Sequence, residues 1–243
     1  MFRLALAASL TFATGGLAQS HADIAQTIVE GHVTPGFAAF SAAAAPLATT
    51  ACTQLRPVYH EAFDGWMGVS HLRFGPMELE ERGFALAYWP DTRGSTPSSL
   101  RQLIANEDPI INGDYSEVSI AARGFFALDW LLFDADAPAM EPDTYPCALA
   151  EAIAGDIAEI AEVLEFTWGK ETVSLTTAGA PNNLYYLTDE EVLRTLYSAL
   201  LTGLDTTIEQ RLGRPLGTFD RPRPTRAEAW RSGRSLPNII ASI

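Results

Sequence analysis

Apolar residues recur at three- and four-residue spacing through most of the chain, and nowhere does strict alternation persist long enough to predict a strand. The longest apolar run outside the N-terminal leader is Ser119 to Phe133. Wound at 3.6 residues per turn, it is apolar round nearly its whole circumference, which predicts a helix buried on most sides. Three residues in it need explaining: Arg123, Gly124 and Asp129. A buried charge is costly unless it is paired. Arg123 and Asp129 are six residues apart, so they face different ways and do not answer each other within one helix. Asp129 therefore needs a partner from elsewhere, and Arg231 or Arg234 in the segment Trp230–Leu236 can supply it.

The other elements follow from the same periodicity. Asp23 to about Thr50 is alanine-rich and helical in period, with a break or kink expected at Thr34-Pro35-Gly36. Leu55, Tyr59, Ala62, Phe63, Trp66 and Val69 mark an amphipathic helix that Arg73-Phe74-Gly75-Pro76 terminates. The segment 78–93 is ambiguous, with Phe84–Pro90 a candidate extended stretch; Thr96-Pro97 opens a short helix to Ile104. Leu149, Ile153, Ile157, Ile160 and Leu164 form the core stripe of a helix over Cys147–Trp168, with a loop expected over 169–187. Thr188-Asp189-Glu190-Glu191 is a capping box for a helix reaching about Leu212, its predicted buried face being Val192, Leu196, Leu200 and Leu204. Thr225 and Glu228 cap a final short helix. The fold class is all-α, a helical bundle of six or seven helices.

The chain opens with Met1-Phe2-Arg3 and an apolar run from Leu4 to Leu17, too short for a stable membrane anchor. Small residues at the spacing a signal peptidase reads place cleavage after Ala18 or Ala22, so residues 1–22 are expected to be a secretory signal and 23–243 the helical domain. That predicts a soluble periplasmic protein with no transmembrane anchor. Two cysteines remain, Cys52 and Cys147. In an oxidising compartment a disulfide is their default reading, with two free buried thiols as the alternative.

Formal net charge is −14, which makes nucleic acid and anionic membrane poor partners. Its distribution matters more than its total. From Arg211 onward seven arginines face only Asp220 and Glu228, an excess of five positive charges, so residues 1–210 carry −19. A basic tail on an acidic body is most simply an intramolecular clasp.

Motifs for nucleotide binding or serine hydrolysis are absent: there is no GxSxG, P-loop or GxGxxG. His60-Glu61-Ala62-Phe63-Asp64 resembles an HExxH zinc helix with aspartate in place of the last histidine. Positions i and i+4 share a face, so His60 and Asp64, with His71 further on, form a candidate metal set for iron or zinc. The simpler reading is an exposed helical His–Asp pair. Trp89-Pro90-Asp91-Thr92-Arg93 joins an aromatic to a carboxylate and a guanidinium, suited either to a pocket floor or to an anchored surface turn.

Gly124-Phe125-Phe126-Ala127-Leu128-Asp129 resembles the GxHxxE signature of the imelysin family. The resemblance extends to Val33–Phe37, Trp66, Arg73-Phe74-Gly75, Trp89-Pro90, Leu200–Gly203 and Arg234-Ser235-Leu236, essentially the whole mature chain. It implies two bundle-like helical halves in one compact domain, export to the bacterial envelope and a link to iron acquisition. The family is classed with metallopeptidases. Here the signature histidine is Phe126 and its glutamate is Asp129. Phenylalanine cannot bind a metal, accept a proton or activate water. The resemblance therefore implies a binding or accessory component for a small ligand or metal ion, working with envelope iron-uptake proteins. Its expected ligand-binding residues are Asp129, Phe126, Gly124, Arg73, Trp66, Trp89, Asp91, Arg231, Arg234 and Ser235. A metallopeptidase using the displaced ligands His60, Asp64, His71 and Asp129 is the alternative, and a purely structural envelope protein a third.

Overall fold

The structure, a computed structural model, describes residues 19–242. The expected signal over 1–22 lies outside the described residues except for its last four, of which Ser20 caps the first helix. There the Ser20 side chain accepts from the Asp23 N–H, and Asp23 reaches back to the Ser20 backbone, a reciprocal capping box. Among the described residues there are helices, turns and loops and no strand.

Helix α1 (His21–Ile28) runs into α2 (Thr34–Ala44) through a wide π turn at Val29–Val33. Pro35 has no N–H to give and its ring crowds the preceding turn. The wide turn absorbs that misfit, so the predicted break is a bulge in a continuing helix. Helix α3 (Leu55–Val69) buries every residue of its predicted stripe. Then come a short α4 (Arg82–Leu86), an extended stretch ending in a cis Trp89–Pro90 bond, and α5 (Ser95–Asn106).

Helix α6 (Gly124–Phe133) is shorter than the apolar run predicts, because Ile120–Ala122 forms a 3-10 turn and Arg123 is extended. Helix α7 (Tyr145–Thr176) is longer than predicted and overturns the expected loop from Gly169. Beyond that glycine, Leu175 is 1% exposed. Burying it offsets the roughly 1 kcal/mol that a helical glycine costs. Helix α8 (Asp189–Asp205) starts at the predicted Thr188 cap and passes into a π-helical segment, Thr206–Gly213. A single turn, α9 (Arg214–Leu216), precedes an irregular tail that ends in α10 (Ser235–Ala241). The cap predicted at Thr225 is instead a 3-10 turn, Pro224–Arg226.

Helices α2, α3, α6 and α7 pack as a bundle, α2 and α6 each touching both α3 and α7, with α10 laid on α3 and α1 wedged between α7 and α8. One contiguous buried cluster runs through these helices. Half of the stripe predicted for α8 stays out of it: Val192 and Leu196 are buried, whereas Leu200 and Leu204 are each 48% exposed and line an open groove. Cys52 and Cys147 are joined as a disulfide, tying the start of α3 to the start of α7. No helix of the described residues is long and apolar enough to cross a membrane.

The arginine tail clasps the acidic body as its charge predicts. Arg231 pairs with Asp134 and Arg234 with Asp64, while within the tail itself Arg211 forms a buried pair with Glu228 at 2.6 Å. Arg123 is answered from α7, where both oxygens of Asp156 accept from its guanidinium at 2.6 and 3.0 Å.

Candidate functional site

Gly124 sets the site's geometry. Its φ is +73°, and a Cβ there would stand 2.1 Å from the Ala85 carbonyl oxygen. Only glycine allows this approach, which lays the end of α4 across the first turn of α6. As a result Trp89 stacks on Phe126, ring centroids 6.2 Å apart and planes 22° from parallel.

Beside that stack opens a cavity of about 270 Å³. Its apolar walls are Tyr88, Trp89, Phe126 and Trp230, and its cations are Arg214, Arg226 and Arg231. Among the described residues Arg214 and Arg226 form no salt bridge. Asp91 also lines the cavity, yet its carboxylate is committed to the start of α5, accepting from the Ser95 and Thr96 N–H groups at 2.9 Å each.

Asp129 sits behind the wall, fully buried. The Tyr59 hydroxyl donates to its Oδ1 at 3.4 Å, and its Oδ2 has no hydrogen-bond partner among the described residues. Arg231 arrives from the far end of the chain, with Nη1 3.9 Å from that oxygen. Its Nε, however, donates to Asp134, and its guanidinium carbon lies 4.7 Å from the Trp230 ring centroid. Asp129 is thus approached but not neutralised. Burial drives its pKa up to about 7, outweighing the opposing pull of Arg231, the Tyr59 hydroxyl and the Ser232 N–H. Asp134 is the reverse case: burial opposes ionisation, but the hydrogen bond from Arg231 holds its carboxyl below the usual range.

Of the residues expected to bind a ligand, Trp89, Asp91, Phe126 and Arg231 line this cavity and Asp129 backs it. Gly124 shapes it without lining it. The other four are elsewhere, for physical reasons. Trp66 is wholly buried against Phe40 and Phe125. Arg73 turns its Nε to the Ser70 carbonyl, Arg234 is taken by Asp64, and the Ser235 hydroxyl donates to the Glu228 carbonyl at 2.6 Å.

The candidate metal set is not assembled. His60 and His71 are eleven residues apart along α3 and its end, or about 16 Å of helical rise. The His60 ring stacks on Phe133, Asp64 holds Arg234, and His71 turns to His32. Among the described residues the one group of three metal-ligating side chains within reach of each other is Cys52, Cys147 and Glu151, and its two sulfurs are spent in the disulfide. Nor do the residues at the signature position fit a metal. A phenyl ring replaces the imidazole, and a guanidinium stands 3.9 Å from the remaining carboxylate.

Sequence reasoning missed Tyr88, Arg214 and Arg226. The excess of arginine after Arg211 was their signal, but spacing alone does not separate guanidiniums that clasp the body from those left at a cavity.

The fold and site define an all-helical scaffold with a small aromatic cavity ringed by guanidiniums. The profile of the imelysin family (peptidase family M75) matches residues 18–243, and the chain belongs to that family. In fold it is similar to the crystal structure of an imelysin-like protein from Psychrobacter arcticum 273-4. That match has a TM-score of 0.76 at 18% identity, over 91% of this chain and 71% of that one. It is also similar to a putative iron-regulated protein A precursor from Parabacteroides distasonis ATCC 8503, with a TM-score of 0.51 at 15% identity over 94% of this chain and 73% of that one. No curated protein matches the sequence.

Proposed function

We propose that the protein is an exported, periplasmic member of the imelysin family that binds a small anionic ligand and does not cleave peptides, serving as an accessory component in iron or metal uptake. The observation that carries this reading is the wall at Phe126. Where the family signature has a histidine, this chain stacks a phenyl ring on Trp89, beside Arg214 and Arg226, which form no salt bridge among the described residues. A site with aromatic faces and unpaired arginines has the chemistry to hold a carboxylate- or phosphate-bearing molecule. It lacks the donors to hold a bare cation, so iron would reach it as an anionic chelate.

Export is supported by the basic start, apolar run and small residues of the N-terminus, and by the disulfide, a bond favoured in oxidising compartments. Of the two cleavage sites the sequence allows, the one after Ala18 keeps Ser20 in place as the cap of α1. The iron link rests on family membership and on the Parabacteroides neighbour being named an iron-regulated protein A precursor.

Incubating the purified mature chain with an unfolded protein substrate, with added zinc or ferrous iron and with or without chelator, tests the non-proteolytic part. The expected outcome is no cleavage in any arm. Robust chelator-sensitive cleavage that Asp129→Ala abolishes would overturn it.

A further inference from the structure

A second, larger depression lies apart from the aromatic cavity, with no lining residue in common. It is a groove of about 1150 Å³ between α1, α8, the π-helical segment after it and the end of α10. At its edge His32, from the π turn between α1 and α2, meets His71, just past the end of α3. Their Nε2 atoms are 3.1 Å apart and both rings reach the surface. We infer that His32 and His71 form a transition-metal site, taking one borderline divalent ion such as zinc, with water completing the coordination.

Imidazole binds zinc at about 2.1 Å, so two nitrogens 3.1 Å apart subtend roughly 95° at a shared ion, between the square-planar and tetrahedral angles. The ion replaces the single shared proton between the rings. Neither side chain needs a new position, only a small adjustment of the contact. The two residues come from separate elements 39 positions apart, so the convergence is tertiary, not an accident of helical spacing. Gly203 of α8 tightens it. A Cβ at that position would stand 2.6 Å from His71 Cβ, so only glycine lets α8 close on this ring. Two arginines line the same groove, and a cation site beside free guanidiniums would be opposed. Both are answered: Arg211 by Glu228 at 2.6 Å and Arg194 by Glu190 at 3.0 Å. The site shares no residue with the aromatic cavity and does not depend on the function proposed for it.

Titrating zinc alone into the metal-free mature chain by calorimetry tests the inference, with the intact disulfide and folding checked by circular dichroism. The expected result is one ion per chain, at least tenfold weaker binding in His32→Ala and in His71→Ala, and no binding in the double variant. His21→Ala, at the far end of the groove, and Asp129→Asn should bind zinc as the wild type does. The side chain of His32 is exposed, so its replacement is not expected to unfold the chain. Gly203→Ala, which displaces His71 and leaves both imidazoles present, should weaken binding. Absence of zinc binding by the wild type, equal binding by the double variant, or loss in His21→Ala instead would each overturn the assignment.

Discussion

Replacing Asp129 with asparagine removes one charge and changes almost nothing in shape. The carboxamide of that variant still offers an oxygen to the Tyr59 hydroxyl, and Arg231 keeps Asp134. What disappears is a carboxyl whose pKa is raised by burial from 3.8 to about 7. The folded state binds this proton more tightly than the unfolded chain does. Its contribution to stability is therefore complete below pH 4 and is lost as pH climbs through 7. The free energy lost across that window is on the order of 4 kcal/mol, at 1.36 kcal/mol for each tenfold change in proton affinity. The substitution also gives up the attraction of Arg231 at 3.9 Å, so the net gain at pH 8.5 should fall between about 1 and 4 kcal/mol. Urea unfolding of both proteins from pH 4 to 8.5 is the assay. Glu228, His32, His60 and His71 titrate too, but they are common to both chains and cancel in the difference. The variant should gain on the wild type steadily from pH 4 to 7 and level off above it. A variant that loses ground as pH rises would refute the reasoning, because Arg231 would then be stabilising an ionised Asp129.

Four further outcomes are expected. Cys52→Ser with Cys147→Ser should cost about 4–5 kcal/mol in urea unfolding, since the bond closes a loop of 95 residues. Gly124→Ala should destabilise by more than about 4 kcal/mol or prevent accumulation of folded protein, because its Cβ meets backbone at 2.1 Å. Arg211→Met should cost about 3–5 kcal/mol by stranding Glu228 in the core, and Glu228→Gln should cost less; thermal melts compare them. Phe126→His, which restores the family's signature residue, should still bind no stoichiometric zinc at the cavity when assayed in a His32→Ala, His71→Ala background, because Arg231 occupies the approach to Asp129.

Much of the fold was legible because helical periodicity reports burial directly. The stripes of α3 and α7 are buried residue for residue, and the Thr188 cap sits where its box places it. The errors fall where tertiary contacts override local chemistry. Gly169 reads as a stop, but Leu175 beyond it has core to fill; Leu200 and Leu204 continue an apolar stripe over an open groove that periodicity cannot see. The need of Asp129 for a distant cation was readable from its surroundings, and Arg231 comes within 3.9 Å of it. That Asp134 would be Arg231's closer partner was not readable, because nothing local to Asp134 sets it apart from the chain's other carboxylates. The pairing of His32 with His71 carries no local signal at all.

Titrating the mature chain with citrate and with ferric citrate, followed by tryptophan fluorescence, tests most directly whether the aromatic cavity is a binding site for anions. Trp89 and Trp230 both line it, so a saturable change is expected in the wild type. Arg214→Gln and Arg226→Gln should each weaken binding about tenfold, or roughly 1.4 kcal/mol, with little effect on stability. No saturable response in the wild type, or one that survives both replacements together, would contradict the account.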